Sequence, residues 1–301
     1  MAILGEIRHI TTYRYANPVS FGTHRAMFLP WRGSAARLLS WSARTNLASK
    51  IHWISDSRSN SVTVIEPSEP GTELTFTFKV RGVYFGIKRL EGFNLEPRAE
   101  EVPVQYTPDE WTDLAGYLRP HDDDNDASVA AWSKSFVAGD QDRATDVLDR
   151  MMAAFRRDFS YRARDTEGTQ SPAETLRTKS GTCRDYAWLM IEALRRLGFA
   201  CRFVSGYLYD AALDGGAVGM IGSGATHAWL QVFLPGAGWR DYDPTNSISA
   251  GYDLIPVAYA RHPAQAIPLA GSWFGEAKDY LGMSVSIAVR KIGEFEDPSE
   301  G

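Results

Sequence analysis

The chain has 301 residues, 44% of them hydrophobic, which is enough to fill the core of one large domain or two ordinary ones. Its formal net charge of −5 lacks the basic excess with which a dedicated nucleic-acid binder neutralises phosphates. Two cysteines exclude a disulfide framework, and no signal-peptide pattern or long apolar run is visible, so we expect a cytoplasmic protein without membrane contact.

Short strands are predicted in the first part of the chain, residues 1–95. Between Leu74 and Val80 apolar residues alternate with polar ones, which is the period-two pattern of a half-buried strand. A similar run opens the chain and is expected to stop at Pro18, because proline interrupts the hydrogen bonding of a strand. We therefore predict an N-terminal antiparallel domain that resembles a β-sandwich.

The pattern breaks up in residues 96–140, which we interpret as a connecting segment. This segment contains several prolines and the acidic run 121–126. An EF-hand loop needs a glycine at its sharp turn and a glutamate at a fixed distance beyond it, and the run has neither. We expect a solvated loop here and no metal site.

The second half of the chain, residues 141–292, is predicted to be α+β, followed by a C-terminal tail at 293–301. One apolar stripe predicts a helix that ends near Asp158, and another predicts a helix from Cys183 to Leu197 with Gly198 as its cap. The small-residue stretch 214–225 is expected to be a mobile loop. Strands are predicted near 202–209, 226–234 and 239–243, with a late alternating strand at 283–289.

Cys183 opens the second of these helices. The unpaired N–H groups and the positive end of the dipole at a helix start favour a thiolate, the reactive form of cysteine. A backbone N–H there could also stabilise an oxyanion. The alternative is that Cys183 is a small buried apolar residue, as most lone cysteines are. Cys201 lies in a strand-like run away from any helix start, so we expect it to be core packing.

A base and an orienting group for that thiol are predicted on one hairpin. His227 opens a strand and Asp243 closes the next, with Pro235 to Gly238 between them. A four-residue loop would put the two side chains on opposite faces, so a triad requires a loop of odd length or a bulge. Strand parity does not separate Asp243 from Asp241, and either aspartate could instead be an ordinary turn or strand residue.

Two sequence blocks, GTCRDYAWLMIEALRRLGFACRFVSGYL and THAWLQVFLPGAGWRDYDPTN, closely resemble the core of the bacterial transglutaminase-like superfamily. This resemblance implies a papain-like α+β fold in which a helix that carries the cysteine packs on an antiparallel sheet that carries the histidine and the aspartate. It implies Cys183, His227 and Asp243 as the catalytic triad, because the aspartate of the family is the one that precedes Pro-Thr.

The first part of the chain resembles the β-rich domain that precedes this core in bacterial members. The resemblance rests on Thr12-Tyr13-Arg14-Tyr15, on His24-Arg25 and on the turn from Asp56 to Asn60. Where the family commonly has an aromatic residue and a glycine before that asparagine, this chain has Arg58-Ser59.

The resemblance implies an enzyme that forms a thioester on Cys183 with a peptide, isopeptide or side-chain amide substrate. We expect a hydrolase, with amine acyl transfer by a transglutaminase-type reaction as the alternative and a catalytically silent binding or assembly protein as the alternative of another class. The calcium sites of animal transglutaminases have no evident counterpart, so no cofactor or metal is expected. Trp188, Trp229 and Asp185 are the predicted substrate contacts.

Overall fold

A computed structural model describes residues 2–30, 36–84, 94–139, 142–163, 168–210, 220–221, 224–249 and 253–295. Most of the stretch 214–225, which we expected to be a loop leading into His227, therefore lies outside the described residues, as does the tail from residue 296 onward.

The described elements have the α+β composition that the sequence predicts. In chain order they are β1 (Ala2–Phe21), β2 (His24–Ala26), β3 (Ala36–Thr45), β4 (Ser49–Ser55), β5 (Ser61–Pro67), β6 (Gly71–Tyr84), α1 (Pro97–Glu100), β7 (Glu101–Val102), α2 (Pro108–Leu118), α3 (Ser128–Lys134), β8 (Asp142–Arg143), α4 (Ala144–Asp158), β9 (Ser160–Tyr161), α5 (Pro172–Thr178), β10 (Ser180–Gly181), α6 (Cys183–Arg195), β11 (Ala200–Leu208), β12 (Thr226–Leu234), β13 (Gly238–Tyr242), β14 (Leu254–Ala260), β15 (Leu269–Ala270), β16 (Trp273–Phe274) and β17 (Tyr280–Phe295).

Two antiparallel sheets form the β-rich part of the molecule. One has the strand order β16-β1-β6-β3, with β17 also paired to β1, and the other has the order β15-β2-β5-β4. Leu74 and Phe76 of β6 are fully buried and share an apolar core with Ile65 of the second sheet. The half-buried strand predicted from the alternation of apolar residues is confirmed, and the two inner faces pack as in a sandwich.

β1 continues through Pro18, where the sequence predicted a stop. Its pairing with β6 skips from Arg14 to Val19, and Ser20 and Phe21 then pair with β16. Pro18 lies within the skipped interval, so its missing N–H removes no hydrogen bond from the ladder with β6.

β17 lies in the sheet of the first part, although the sequence analysis grouped it with residues 141–292. It pairs with β1 along most of its length, from Ala2 opposite Phe295 to Tyr15 opposite Tyr280. Alternation alone indicates a strand but not its partner, because pairing depends on which sheet edge the returning chain reaches. The β-rich part is therefore built from both ends of the chain.

Residues 96–140, predicted to be a connecting segment, fold into α1, α2 and α3 against the second half. Asp124 of the acidic run accepts hydrogen bonds from the N–H groups of Val129 and Ala130 at 3.0 and 2.7 Å. It also forms an ion pair with Arg196 at 3.5 Å. Asp124 thus fixes the start of α3 and is not a freely solvated side chain.

α6 is the buried helix of the second half and packs on β11 and β12. The sheet behind it has the antiparallel order β13-β12-β11-β14. α4 ends at Asp158 as predicted, whereas α6 ends at Arg195, two residues before the predicted Leu197, and the chain then turns at Gly198, whose φ is +87°. None of the helices in the described ranges is long and apolar enough to span a bilayer.

Asn60 joins the β-rich part to the sheet of the second half. It is fully buried, and its amide accepts a hydrogen bond from Tyr259 N and donates one to Tyr259 O, both at 2.8 Å. Asp56 holds the same turn by accepting from the backbone N–H of Asn60 at 2.9 Å. Ser59 has a φ of 63°, so it adopts the left-handed conformation that a glycine at this position would take without strain.

A second contact between the two parts is a buried hydrogen bond between His9 of β1 and Tyr207 of β11. The distance from His9 Nδ1 to the Tyr207 hydroxyl is 3.0 Å. Burial lowers the pKa of His9 to about 4, so the imidazole is neutral at physiological pH. This contact therefore contributes a neutral hydrogen bond and no charge.

We expect Asn60→Ala to lower the free energy of unfolding by about 2–3 kcal/mol, because it leaves the buried N–H and C=O of Tyr259 without partners. Urea denaturation measures the loss. Asn46→Ala is the matched control, since Asn46 makes the same pair of backbone bonds, from Thr75 N and to Glu73 O, in an exposed turn. Asn46→Ala should lower the free energy of unfolding by less than about 1 kcal/mol. Equal losses of stability for the two variants would contradict the buried role of Asn60.

Candidate active site

Asp185 fixes the start of α6, where Cys183 lies. Its carboxylate accepts hydrogen bonds from the N–H and the hydroxyl of Thr182 at 2.8 and 2.9 Å, and from Gln170 N at 2.7 Å. A Cβ at Gly181 would lie 2.8 Å from the Cβ of Asp185, so the chain needs a glycine to approach this closely. These contacts set the direction of the first turn and thereby the position of Cys183.

The structure places Asp185, which the sequence analysis predicted to be a substrate contact, outside the described wall of the cavity at Cys183. Its side chain is fully buried and turned toward the loop that precedes the helix. A carboxylate three residues after the helix cap is the usual partner of that cap, and here this role uses the carboxylate oxygens. Asp185 positions Cys183 from behind.

The hairpin of β12 and β13 has a loop of odd length. Leu234 pairs with Gly238 and Gln231 pairs with Asp241, so three residues form the loop. Within and after it, Gly236 and Gly238 have φ values of +88° and +73°, which a residue with a side chain rarely adopts. The same register continued places Asp243 on the face of His227, which meets the condition that the sequence analysis set.

His227 and Asp243 form a buried pair. The distance from His227 Nε2 to Asp243 Oδ2 is 2.8 Å, and neither side chain is accessible to solvent. Asp243 also accepts hydrogen bonds from Thr245 N and from the side-chain amide of Asn246, each at 2.9 Å. Asn246 stands within the DYDPTN block of the sequence but was not singled out there.

The ionisation of His227 is governed by its two neighbours. Burial opposes the charge, but the negative charge of Asp243, its hydrogen bond and a smaller contribution of the same kind from Cys183 raise the pKa of His227 to about 10. Since Nε2 is bonded to Asp243, Nδ1 is the nitrogen left for Cys183. In the described part of the chain Nδ1 has no partner in good hydrogen-bond geometry, so the contact to the thiol is long or poorly aligned, as is common before substrate binds.

Asp241 and Trp229 lie beneath this pair. The indole Nε1 of Trp229 donates to Asp241 Oδ1 at 2.6 Å, and its ring stacks on that of His227 with centroids 6.0 Å apart. Burial raises the pKa of Asp241 to about 6, against the hydrogen bonds from Trp229 and Gln231 that favour its charged form. The two aspartates of equal parity are thus distinguished by their partners: Asp243 orients the histidine and Asp241 orients the tryptophan.

Neither tryptophan that we predicted to be a substrate contact reaches the opening beside Cys183. Trp229 is fully buried, and Trp188 is 3% exposed with its ring edge-on to His262 at a centroid distance of 4.7 Å. Both are packing residues, since an indole at the interior face of a helix or strand fills volume first. Cys201 is also fully buried, which raises the pKa of its thiol well above the ordinary value, so it is the core residue that the sequence predicts.

A cavity of about 290 Å³ opens beside Cys183. Its wall includes Tyr161, which the sequence analysis missed because only the short parallel pairing of β9 with β10 brings it to this place. Burial and the nearby groups of Cys183 and Asp185 raise the pKa of Tyr161 to about 12, so its hydroxyl is neutral and can donate a hydrogen bond. The cavity is lined by Tyr161, Ala163, Gly168, Thr182, Cys183, Arg184, Thr226 and His227.

The arrangement combines a thiol at a helix start with a histidine that a buried carboxylate orients, and both Cys183 and His227 face one cavity. This is the set of groups that nucleophilic acyl transfer requires. The described residues contain no group of three His, Cys, Asp or Glu side chains that could hold a metal ion.

Two family models match the chain. The model of the transglutaminase-like superfamily matches residues 130–244, and the model of the bacterial transglutaminase-like N-terminal region matches residues 6–82. The first spans the cysteine helix and the hairpin, and the second spans most of the β-rich part that precedes them.

Individual proteins show the same likeness. An uncharacterized protein of Mycobacterium leprae is 26% identical over 294 residues, which are 94% of this chain and 97% of that protein. A protein-glutamine gamma-glutamyltransferase of Pseudomonas aeruginosa is 33% identical over 72 residues, which are 24% of this chain and 11% of that protein. The crystal structure of a proposed cysteine protease from Cytophaga hutchinsonii covers 99% of this chain and 93% of its own, with a TM-score of 0.73 and 18% identity. At that identity the likeness establishes the fold alone.

We expect the imidazole of His227 to stay protonated through pH 8 and to titrate near pH 10. NMR of its ring carbons measures this titration. Because the folded-state pKa is raised above 6.5, the pair adds stability that is present below pH 6.5 and is lost as the pH rises through about 10. Asp243→Asn should move the His227 midpoint to lower pH. His262 serves as the reference in the same spectra, since burial lowers its pKa below 6.5. A wild-type midpoint for His227 at or below 6.5 would contradict the ion pair.

Proposed function

Because residues 130–244 match the model of the transglutaminase-like superfamily and residues 6–82 match that of the bacterial N-terminal region, we propose that the chain is a cysteine-dependent amide hydrolase of this superfamily. Cys183 is the nucleophile, His227 the base and Asp243 the group that orients the base. The observation that supports this proposal most directly is the buried bond of 2.8 Å from His227 Nε2 to Asp243, which leaves Nδ1 for the thiol.

In the first half of the reaction His227 Nδ1 already holds the proton of Cys183 in a thiolate–imidazolium pair, and the thiolate attacks the carbonyl carbon of the amide. The tetrahedral intermediate carries a negative oxygen, for which the unpaired backbone N–H groups in the first turn of α6 are the proposed hydrogen-bond donors. The protonated His227 then gives its proton to the leaving amine. A thioester on Cys183 and a free amine result.

In the second half a water molecule attacks the thioester, and His227 Nδ1 takes a proton from that water. The carboxylic acid leaves, and Cys183 is released as the thiolate beside the protonated His227, which restores the starting pair. In both halves Asp243 stays ionised and stabilises the imidazolium, for which its lowered pKa suits it. Burial by itself raises the pKa of Asp243. The charge of His227 and the hydrogen bonds from His227, Asn246 and Thr245 lower it.

Hydrolysis is favoured by the character of the cavity at Cys183. Its volume of about 290 Å³ exceeds that of a single acyl side chain, and Thr182 and Thr226 in its wall can hydrogen-bond a water molecule beside the thioester. An acceptor amine would have to compete with such a water molecule for the same carbon, which favours release of the acid.

Transglutaminase activity is the second candidate. It is supported by the segment of 72 residues that is 33% identical to a protein-glutamine gamma-glutamyltransferase. The steps up to the thioester are the same for both reactions, and a primary amine then takes the place of water.

Iodoacetamide is expected to alkylate Cys183 at pH 7 at least about tenfold faster than Cys201, because a paired thiol at a helix start reacts as thiolate and a buried one does not. His227→Ala should slow the alkylation of Cys183 by about tenfold or more. Peptide mapping by mass spectrometry measures both rates. His262→Ala is the matched control, since its ring packs on Trp188 outside the cavity, and it should leave the rate unchanged.

Slow alkylation of Cys183 that His227→Ala does not alter would overturn the catalytic proposal. It would favour the alternative of a binding or assembly protein with a silent site.

A casein digest incubated with the protein and cadaverine distinguishes the two enzymatic candidates. Hydrolysis yields new carboxyl groups, either at cleaved peptide bonds or by conversion of glutamine to glutamate, in amounts that the amine does not reduce. Transglutaminase activity yields cadaverine adducts in their place. We expect the hydrolysis products to dominate and Cys183→Ala to abolish them, because no nucleophile remains. A predominance of adducts would establish the second candidate.

A further inference from the structure

A second cavity adjoins the one at Cys183. Its volume is about 430 Å³, and the two cavities share Ala163 in their walls. Successive residues of one stretch of chain line both of them, from Thr178 in the second cavity to Arg184 in the first. We call it the cationic cavity. It is lined by Asp158, Ser160, Arg162, Ala163, Gln170, Thr178, Lys179, Ser180 and Gly181.

Lys179 and Arg162 give this cavity its positive charge. The one carboxylate in its wall, that of Asp158, accepts two hydrogen bonds from Arg157, each at 2.7 Å. Among the described residues no carboxylate forms an ion pair with Lys179 or with Arg162 within 4 Å. Among the described residues of its wall, the positive charges of Arg162 and Lys179 therefore exceed the single negative charge of Asp158.

Lys179 is held in place at the edge of the cavity. Its backbone adopts φ of 51°, and its ammonium lies over the ring of Phe159 at 4.6 Å from the centroid, with Trp132 at 5.7 Å. Contact with an aromatic face stabilises a cation without neutralising it. The ammonium can therefore meet an anionic group while losing less conformational freedom than a free lysine would lose.

The cationic cavity lies at a distance that an extended peptide bridges. Lys179 and Cys183 are four positions apart in the chain, so their Cα atoms are at most about 14 Å apart. A bound peptide that is extended advances about 3.3 Å per residue. Three or four extended residues of a bound peptide therefore suffice to span this distance even at its upper limit.

We propose that the cationic cavity is a substrate subsite, an inference that rests on the proposed function. The subsite selects amide substrates that carry a carboxylate three or four residues from the bond attacked. A protein with a formal net charge of −5 repels acidic peptides in general. A local cationic wall beside the nucleophile offsets that repulsion at one place and fixes the register of the peptide.

Affinity labels test the subsite without knowledge of the natural substrate. The probes are iodoacetyl-Gly-Gly-Glu and iodoacetyl-Gly-Gly-Lys, together with the chloromethyl ketones of Glu-Gly-Gly and Lys-Gly-Gly, which enter the site in the opposite chain direction. In one direction we expect the glutamate probe to alkylate Cys183 about fivefold faster than the lysine probe, the ratio that about 1 kcal/mol of charge attraction provides.

Two variants of Lys179 and one control variant test whether the charge of Lys179 causes this preference. Lys179→Gln should bring the ratio of the two rates to about one, and Lys179→Glu should invert it. Lys50→Glu changes the net charge by the same amount on β4, where the side chain is 77% exposed, and should preserve the wild-type ratio. Ratios near one in both chain directions for the wild type, or a ratio that Lys179→Glu leaves as it was, would overturn the subsite.

The labelling of wild-type protein by plain iodoacetamide separates this result from a failure of the proposed function. Fast labelling without any charge preference overturns the subsite alone. Slow labelling by iodoacetamide overturns the catalytic proposal, and the subsite falls with it.

Discussion

The buried pair of His227 and Asp243 is the interaction on which the geometry of the site depends. A carboxylate removed from water is costly unless it is paired and hydrogen-bonded, and here the imidazolium, a backbone N–H and the amide of Asn246 supply those partners. The pKa of the histidine is raised and that of the aspartate lowered, so both shifts describe the same ion pair. Loss of either member would leave the other charge buried without a partner, at a cost of several kcal/mol.

The pair is also the end of a line of contacts through the sheet of the second half, β13-β12-β11-β14. Trp229, stacked on His227, is bonded to Asp241, and Gln231 bonds both Asp241 and the guanidinium of Arg202. That guanidinium in turn lies 3.7 Å from the centroid of the Tyr259 ring.

The backbone N–H and C=O of Tyr259 are both hydrogen-bonded to the side chain of Asn60 in the β-rich part. The N-terminal region therefore takes part in the scaffold behind the histidine. Contacts between rigid side chains at van der Waals or hydrogen-bond distance restrict each other's rotamers, which is how a support far from the reacting atoms keeps a base in place.

The parts of the fold that could be predicted from sequence are those that depend on neighbours in the chain. The alternation between Leu74 and Val80, the stripe of α4 and the glycine cap of α6 reflect local periodicity and conformational preference. β17 was grouped with residues 141–292, since its alternation could not reveal that its partner, β1, lies at the other end of the chain. Residues 96–140 were predicted to be only a connection, since short helices that pack on another element carry weak patterns of their own.

For the site, the sequence by itself determined which residue types occur and in what order: a cysteine at a helix start, and a histidine and two aspartates of equal parity on a hairpin. The tertiary structure decided what each of them contacts. In the structure Asp243 contacts His227, and Asp241 contacts Trp229. Asp185 and both tryptophans are buried, and Tyr161 lines the cavity. Parity and spacing constrain the face on which a side chain lies, whereas its partner depends on the loop length, the register and the packing of elements distant in the chain.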